Sequence, residues 1–538
     1  MDLLSFQVQT ALFLAIVLMV IRYFKKSKEN SNLSHHQIIA PEPPGAWPII
    51  GHLHLLSGPT PLARTLGALA NKHGPIFSLR LGTHQALVIS NMELIKQCFT
   101  SNDCVFATRP NMAVGQHIGY DNAILGLAPY GSYWRYIKKL VTLQLMTATQ
   151  LEKLKPVRSS EVDYFIKNLY QHHNKVSDKT DLSPGQTLHY NSKNVISLNS
   201  CLEDLTFNII TRILVGKRFS SGESSDLKFK EGVKKALYLS GVFVLSDAIS
   251  ILEWFDVGGY LKKMKETAKE LDQVLEEWLQ ERIEMMRKRC GIEESDHQYD
   301  FLDVMLSALP EGEIVFGFKR ETVVKATMLI LILTGSESTA ETLTWAISLL
   351  LNNNHALTLA QEELDANVGI NKWVEESDIK NLHYLQSIIK ETLRLYPPGP
   401  LAGPHQATQD CKIGGYYVPK GTRLIVNLWK LHRDPNVWID CNGFRPERFL
   451  NEHRDVDFKG KHFEYIPFGA GRRMCPAMTF GLQVVHLTLA RLIQGFNIST
   501  YMGGPVDMGE GLGIALPKLK PLEVVLTPRL SHKLYENL

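Results

Sequence analysis

The chain of 538 residues is long enough to bury a large core, and 44% of its residues are hydrophobic. Its 58 basic and 55 acidic residues leave a formal charge of +3, spread along the sequence, so nothing indicates a nucleic-acid partner. The seven cysteines are scattered, odd in number and form no spaced framework, which suits a reducing compartment.

An apolar segment opens the chain. Residues 3–21 are mostly apolar, and four basic residues between Arg22 and Lys28 follow directly. A cleaved signal peptide would carry its basic residues before the apolar run, so this order predicts a retained membrane anchor with the rest of the chain in the cytosol. A shallow or tilted helix stays open, because the run is short for a bilayer. We predict an anchor over 1–24, a basic linker with a proline-rich hinge over 25–51, and one domain over 52–538.

The remaining pattern is mainly helical. Ile76–Leu81 and Ala86–Ser90 alternate around Gly82, which predicts a β-hairpin in a small sheet. Long amphipathic segments such as Tyr260–Arg289 predict helices, and the polar stretch Gly291–Tyr299 predicts a surface loop. The fold class expected is therefore mainly α, one large helical domain with a minor β-sheet region, preceded by one N-terminal transmembrane helix.

The apolar run Lys325–Asn352 is long enough to cross a bilayer. Its centre, Thr334–Thr339, holds an acid and several hydroxyls, which are costly inside a membrane, so a buried helix through the protein core is predicted instead. Hydroxyls that bond back to the preceding turn, together with Gly335, predict a local loosening of this helix. A second apolar run, Ala236–Phe255, is interrupted by polar residues and predicts a core helix followed by a turn.

A lone cysteine, Cys475, lies between a glycine-rich turn and the apolar run Phe480–Ile493, which predicts a helix. A position near a helix N-terminus favours a thiolate over a thiol, and Arg472 and Arg473 add positive charge. With no other Cys or His close by in sequence, zinc is a poor fit, whereas a single axial ligand to haem iron is consistent. The alternative is a buried structural cysteine.

The residues around this cysteine resemble the cysteine-ligand loop of the cytochrome P450 family, whose pattern is Phe-x-x-Gly-x-Arg-x-Cys-x-Gly. Phe468, Gly471, Arg473 and Cys475 match it, and Ala477 replaces the last glycine. The resemblance implies haem b, with the Cys475 thiolate as axial ligand to its iron and Phe468 among the haem-binding residues. The family uses the missing glycine for close backbone approach under the haem, so Ala477 is expected to shift the packing there.

Further positions match this family in the same order. Trp134 and Lys138 lie one helical turn apart, where the family supplies an aromatic ring and an arginine to a haem propionate. Lys138 keeps the charge of that arginine and loses its bidentate fork. The resemblance also implies that Arg473 and His405 bind the propionates. Taken alone, a tryptophan at helical spacing is usually part of a core.

The centre of the predicted core helix matches as well. The family places an acid followed by an alcohol over the haem, where oxygen binds, and Glu337 and Ser338 occupy these places although Asp and Thr are commoner. The resemblance implies that the alcohol holds the oxygen while the acid delivers protons through water. Thr339 follows directly and is a second candidate for the alcohol. A merely kinked core helix is the alternative.

Glu391 and Arg394 lie three residues apart on one predicted helix, and Arg448 belongs to a second arginine motif of the family. Alone, such a pair is a solvated ion pair that contributes little. The resemblance implies instead that the three side chains form a buried structural cluster that fixes the loop of Cys475, which is explained better by positioning than by net stabilisation.

The resemblance implies a haem-thiolate monooxygenase that hydroxylates a small apolar or alkaloid substrate with O2. No flavin- or NADPH-binding domain is evident, so electrons are expected from NADPH–cytochrome P450 reductase, docked on the basic residues that flank Cys475. The expected location is the endoplasmic reticulum membrane, with the catalytic domain in the cytosol. The alternative for Ala236–Phe255 is then the family's substrate entrance, partly in the membrane surface.

Three runs, Ala40–Leu53, Val456–Gly460 and Phe463–Phe468, resemble one plant family of these enzymes, which includes benzylisoquinoline alkaloid hydroxylases, flavone hydroxylases, terpenoid-cleaving enzymes and nicotine demethylases. Thr334–Thr339 and Pro397–His405 are similar to the branch that hydroxylates N-methylstylopine or protopine. A benzylisoquinoline-type alkaloid is therefore the expected substrate, with a flavonoid or terpenoid as the alternative. A reductase-independent haem-thiolate isomerase or dehydratase stays open, as does a non-catalytic haem- or membrane-binding protein.

Overall fold

The computed structural model describes residues 38–177, 195–219, 224–289, 300–309, 311–501 and 503–538. The predicted anchor over 1–24 and the whole of the predicted surface loop, residues 291–299, lie outside the described residues. The described chain is mainly helical with small sheets, so the predicted fold class is confirmed.

The helices, in chain order, are α1 (Leu53–Leu56), α2 (Leu62–His73), α3 (Met92–Phe99), α4 (Asp103–Phe106), α5 (Ala113–His117), α6 (Ser132–Leu145), α7 (Ala148–Lys153), α8 (Lys155–Ser177), α9 (Leu198–Val215), α10 (Ser224–Gly241), α11 (Tyr260–Arg289), α12 (Phe301–Ala308), α13 (Arg320–Asn352), α14 (Asn354–Asn367), α15 (His383–Leu395), α16 (Leu428–Leu431), α17 (Met478–Gly495) and α18 (His532–Glu536). The strands are β1 (Ile76–Leu81), β2 (His84–Ile89), β3 (Ile196–Ser197), β4 (Ile314–Val315), β5 (Phe318–Lys319), β6 (His405–Gln406), β7 (Cys411–Ile413), β8 (Tyr416–Val418), β9 (Arg423–Val426), β10 (Phe496–Thr500) and β11 (Glu523–Pro528).

The largest sheet is built on the predicted hairpin. Its strand order is β1-β2-β9-β6, with β1 and β2 antiparallel from the Ile76–Ile89 pair to the Leu81–His84 pair. Gly82 turns the chain between them at a φ of +60°, a conformation that favours glycine. β2 and β9 are parallel, which brings the chain around residue 425 beside the N-terminal hairpin. A second sheet has the order β10-β11-β3.

The central element is α13, a single unbroken helix from Arg320 to Asn352. Among the described residues it is the one helix long and apolar enough to cross a membrane, and 72% of its most apolar window is buried inside the protein. The predicted core helix is therefore present. The predicted local loosening of this helix is absent, because its backbone is helical from Arg320 to Asn352. The hydroxyls of Thr334 and Ser338 do donate to carbonyls of the preceding turn, each at 2.7 Å. Gly335 has a packing role instead, since a Cβ there would lie 3.2 Å from Ile210 of α9.

The segment predicted as a hinge packs on the domain from its first described residue. The Ile38 carbonyl accepts a hydrogen bond from the Tyr417 amide at 2.8 Å, and the Pro41 carbonyl accepts one from the Ser78 amide at 2.8 Å. His52 is fully buried and bonds the Pro43 carbonyl at 2.9 Å. Residues 38–51 are thus tied to β1 and β8 rather than free in solution.

The apolar run Ala236–Phe255 is divided. Helix α10 ends at Gly241, and two 3₁₀ turns follow at Leu245–Asp247 and Ser250–Phe255. Ala248 and Ile249 are buried in one hydrophobic cluster with Leu53 and β1, whereas Trp254 is 92% exposed. Residues 248–249 are therefore packed in the domain, whereas the aromatic side chains of Trp254 and Phe255 are exposed to solvent.

Candidate functional site

The loop before α17 is folded tightly around Cys475. Gly469 and Gly471 adopt φ angles of +72° and +67°, and a Cβ on Gly471 would lie 2.4 Å from Asp103 Oδ1. The Cys475 amide donates to the Phe468 carbonyl at 3.0 Å, which closes the loop. Ala477 has a φ of −95°, a backbone conformation open to any residue, so alanine fits without strain where the family pattern has glycine.

The side chain of Cys475 is exposed, yet burial among the surrounding protein raises the pKa of its thiol. The Ala477 backbone amide and the charge of Lys138 oppose this shift without reversing it. Burial therefore opposes the thiolate in the protein alone, while the Ala477 amide at the start of α17 and the charge of Lys138 favour it. A bound metal ion reverses the balance, because it deprotonates a coordinating thiol outright.

Three observations indicate an open space in front of this sulfur. Cys475 is exposed although the surrounding protein desolvates its thiol. Thr334 is exposed although it lies at the centre of the buried helix α13. A Cβ added to Gly481, in the first turn of α17, would meet no atom within 4 Å. Since α17 packs against α13, these positions are consistent with a space for a prosthetic group beside Cys475.

A group of basic side chains lies around the Trp134 ring. The Arg473 guanidinium stacks 4.3 Å from the ring centroid, and its Nε donates to the Ala107 carbonyl at 2.6 Å. Lys138 Nζ lies 5.0 Å from the same centroid and donates to the Arg472 carbonyl at 2.6 Å. The predicted residues Trp134, Lys138 and Arg473 are thus brought together.

Arg109 joins this group and was missed by sequence reasoning. It donates to the carbonyls of Gly126 at 3.2 Å and Pro404 at 2.5 Å, and a Cβ on Gly403 would lie 3.5 Å from it. Burial lowers the pKa of Arg109 to about 10, and burial with the charge of Arg109 lowers that of Arg473 to about 9. The one sequence signal was an arginine in the mostly apolar context Phe106–Pro110.

These arginines have no anionic partner in the described chain. Every hydrogen bond that Arg109 and Arg473 donate there goes to a backbone carbonyl. His405 Nδ1 bonds the Phe106 carbonyl at 2.7 Å, and burial with the charge of Arg109 lowers its pKa to about 3, so the ring is neutral at pH 7. A partly buried cationic pair without a carboxylate is suited to an anionic group supplied from outside, such as the propionates of haem.

The acid and the two candidate alcohols occupy different faces of α13. Ser338 is half-buried and its hydroxyl donates to the Thr334 carbonyl at 2.7 Å, beside the exposed Thr334. Thr339 is buried and donates to the Gly335 carbonyl at 3.0 Å, on the side packed against α9. Glu337 lines a separate cavity between α9, α10 and α13, where burial raises its pKa to about 7.

Glu391, Arg394 and Arg448 form one fully buried cluster. Arg394 binds the Glu391 carboxylate through two bonds of 2.8 Å, and Arg448 Nε lies 3.0 Å from Glu391 Oε2. The remaining guanidinium donors bind backbone carbonyls, among them those of His432 at 2.7 Å and Ile439 at 2.8 Å. The charges are thus balanced by hydrogen bonds as well as by the one carboxylate.

This cluster is connected to the cysteine loop through a buried histidine. Arg394 holds the His432 carbonyl, and the ring Nε2 of His432 accepts the Ile466 amide at 3.1 Å. Burial lowers the pKa of His432 to about 3, so the ring stays neutral and can accept. The Ile466 carbonyl in turn accepts the Gly469 amide at 2.8 Å, inside the loop that ends at Cys475.

Comparisons with known proteins agree with this arrangement. A family model described as Cytochrome P450 matches residues 41–523. Dimethylnonatriene synthase of Arabidopsis thaliana is 47% identical over 540 residues, covering 100% of both chains. Flavonoid-6-hydroxylase of Ocimum basilicum is 48% identical over 93% of this chain and 92% of its own. Xanthotoxin 5-hydroxylase CYP82C4 of Arabidopsis thaliana is 46% identical over 98% of this chain and 99% of its own.

A solved zebrafish cytochrome P450 with progesterone aligns with a TM-score of 0.70 at 25% sequence identity, covering 87% of this chain and 100% of its own. The family binds haem b through a cysteine thiolate, which suits the open space beside Cys475 and the unmatched arginines near it. The chain belongs to the cytochrome P450 family and is a haem-thiolate monooxygenase of the plant type that acts on specialised metabolites.

Proposed function

We propose that this enzyme hydroxylates a multi-ring plant metabolite, with Cys475 as the axial ligand of its haem iron. The observation that carries the assignment is the uncovered Cys475 sulfur in the interior, at the end of a loop held by the Glu391 cluster. When bound, haem b supplies the reductive activation of O2.

The basic group around Trp134 orients the prosthetic group. Arg109, Lys138 and Arg473 supply cations for the two propionates, and the neutral His405 supplies a ring nitrogen as a hydrogen-bonding group. Phe468 contacts Phe458 with ring centroids 5.6 Å apart and accepts the Cys475 amide, so it holds the loop backbone in place. Glu391, Arg394 and Arg448 fix this loop through His432.

On α13, Ser338 is the alcohol that acts at the oxygen site, because it lies beside the exposed Thr334. Thr339 is the weaker candidate because it is buried and packed. Glu337 is the acid of the pair, and a pKa of about 7 lets it both release and take up a proton near neutral pH. Glu337 also lines a cavity that has room for water, and such water can replace the proton that it releases.

We propose two candidate substrate classes. A benzylisoquinoline alkaloid of the N-methylstylopine or protopine class is our first candidate, supported by the likeness of Thr334–Thr339 and Pro397–His405 to that branch. A flavonoid is the second, supported by flavonoid-6-hydroxylases of Ocimum basilicum and Mentha piperita that are 48% and 46% identical. The names of further relatives specify nicotine, xanthotoxin and dimethylnonatriene, so the names of the relatives do not converge on one substrate class.

We also propose an endoplasmic reticulum location with residues 1–24 as anchor, 25–51 as linker and hinge, and 52–538 as catalytic domain. The exposed Trp254 and Phe255 support a membrane-facing side of that domain. Electrons come from NADPH–cytochrome P450 reductase, and the half-exposed Arg472 beside the cysteine loop supports a basic docking face there.

Co-expression with a plant reductase in yeast microsomes tests these assignments together. Alkaloid, flavonoid and terpenoid panels are incubated with NADPH, and products are identified by mass spectrometry. We expect an added oxygen atom on one class only, and a thiolate-type Soret band in the reduced, carbon-monoxide-bound enzyme. Cys475→Ser is expected to lose both, while Cys441→Ser, a half-buried cysteine elsewhere in the fold, keeps both. Retention of the band in Cys475→Ser would refute the ligand assignment.

A further inference from the structure

A second carboxyl lies one helical turn beyond the acid of α13. Glu337 and Glu341 both line a partly open cavity of about 230 Å³, which is also lined by Phe207 of α9, Tyr238 of α10 and the chain around Leu512. A water molecule needs about 30 Å³ in the liquid, so the cavity has room for several, and its wall offers the polar groups that ordered water requires.

The basic residues that face this cavity bind other acids. Lys234 of α10 pairs with Glu203 of α9 at 2.5 Å, and Lys230 pairs with Asp204. Lys518 follows the lining residue Pro517, and its Nζ contacts the Asp507 carbonyl and lies 5.0 Å from the centroid of the Trp345 ring. The lysines of α10 and the chain around residue 518 therefore stabilise the ionised forms of the two α13 glutamates only weakly.

Glu341 itself is half satisfied. The Lys518 backbone favours the ionised form of its carboxyl, whereas the buried Oε2 has no hydrogen-bond partner within the described residues. A buried carboxylate oxygen left without a donor is costly, and a proton or a cavity water removes that cost. Burial raises the pKa of Glu341 to about 8, with the charges of Glu337 and Glu203 adding to the effect.

We propose that Glu341 and Glu337 share protons through the cavity water, and that Glu341 restores the proton that Glu337 releases in each turnover. The proposal rests on the assigned role of Glu337. A proton leaves the Glu337 carboxyl on the side of Ser338, the Glu341 proton then passes through water to the Glu337 carboxylate, and a solvent proton replaces it on Glu341. No electrons or other groups move. Glu341 contacts none of the reacting atoms, and is thus a positioning residue that acts through Glu337.

The first test needs no turnover. Infrared titration of the haem-loaded enzyme follows the C=O band of protonated carboxyls from pH 5 to 9. We expect two of the protons that the parental protein releases in this range to leave in overlapping steps. Glu337→Gln and Glu341→Gln should each remove one of these two steps and shift the pH of the other. Glu321→Gln on the same helix, outside the cavity, serves as control. Two independent, unmoved steps, or no titration in this range, would overturn the shared pair.

Thermal stability gives a second readout with a defined sign. A folded protein that holds these protons to about pH 7–8, while the unfolded chain releases them near pH 4–5, loses stability as pH rises through that interval. The Glu341→Gln variant lacks the part of this stability loss that Glu341 causes. The Tm of the variant minus that of the parent is therefore expected to be larger at pH 8 than at pH 5. An equal Tm difference at both pH values would mean that the Glu341 pKa is not raised on folding.

Turnover then separates this inference from the assignment of Glu337. Glu341→Gln is expected to slow product formation roughly 10-fold and to enlarge the solvent deuterium isotope effect, with Glu341→Asp restoring part of the rate. In the Glu337→Gln background, Glu341→Gln should add no further loss. Full activity of Glu341→Gln beside a slow Glu337→Gln refutes the relay and leaves Glu337 in place. Full activity of Glu337→Gln refutes the assignment of Glu337 and the relay with it.

Discussion

Arg109 is a cation that the described chain surrounds with carbonyls and leaves without a carboxylate. If it binds a haem propionate, Arg109→Met removes a charge-assisted hydrogen bond worth about 1.5–3 kcal/mol, and haem retention should weaken about 10- to 100-fold. Haem per protein after gel filtration measures this. Arg135→Met, on the exposed side of α6 over the Tyr130 ring, should keep its haem. Equal haem content in both variants would remove Arg109 from the site.

Ser338 and Thr339 are adjacent hydroxyls with different surroundings. Ser338 is half-buried beside Thr334, whereas Thr339 is buried against α9. Ser338→Ala should therefore uncouple the reaction, lowering product formed per NADPH roughly 10- to 1,000-fold while peroxide appears. Thr339→Ala should stay coupled, with a small loss of stability from its packing. The opposite result would assign the alcohol to Thr339, and two coupled variants would leave both as packing residues.

At the scale of elements, α15 is joined to the cysteine loop by the Glu391 cluster. Glu391→Gln keeps the shape of the side chain but leaves Arg394 and Arg448 buried without a counter-charge. Breaking a buried pair in this way destabilises a fold by about 3–5 kcal/mol, so a marked drop in Tm and in haem content is expected. Differential scanning calorimetry measures the change. Glu452→Gln, from a partly exposed pair with Arg445 at 3.4 Å, should shift Tm little.

The elements themselves were largely predictable from periodicity. The β1–β2 hairpin, α11 with its bounds and the buried α13 follow from alternation and helical spacing that local sequence encodes. The straightness of α13 did not follow, because the packing of Gly335 against Ile210 is a contact with another helix. A glycine inside a helix predicts local loosening only if no other helix packs closely against it, and the sequence does not show that contact.

The site divides in the same way. The roles of Cys475, Arg473 and the Glu391 cluster could be predicted because these residues belong to short sequence motifs of the family. Arg109 and Glu341 could not, because the groups that define their environment, Pro404 for the first and Lys518 for the second, lie far away in sequence. The raised thiol pKa was likewise hidden, since burial is a property of the fold.

At the scale of the whole molecule, the N-terminal segment and the turns after α10 belong to one side. Ile49 and Ile50 pack into the same cluster as Ala248 and Ile249, and the Ala248 carbonyl accepts the Thr83 amide at 2.9 Å. Trp254 and Phe255 extend from this cluster into solvent. The end of the segment predicted as a hinge and the exposed aromatic rings are thus held by one hydrophobic cluster.

This geometry predicts different results for two truncations. A chain that begins at Ile38 keeps the bonds to Tyr417 and Ser78, so it should fold, bind haem and leave the membrane pellet in carbonate. A chain that begins at Leu53 loses them together with the buried His52, and should have a lower Tm and less haem. Equal stability of the two chains would show that residues 38–52 contribute nothing to the domain.

The chain that begins at Ile38 also isolates the contribution of the exposed aromatic residues to membrane binding. Each buried aromatic ring contributes about 1.5–3 kcal/mol on transfer from water, so Trp254 and Phe255 together should hold this chain on phospholipid vesicles reversibly. Replacement of both by serine should weaken vesicle binding at least about 10-fold without a change in Tm, because neither ring is packed in the core. Ile439→Ser, at an equally exposed apolar residue distant in sequence, is the control in a flotation assay. If the double variant floats with the vesicles as well as its parent does, the membrane-facing side lies elsewhere on the domain.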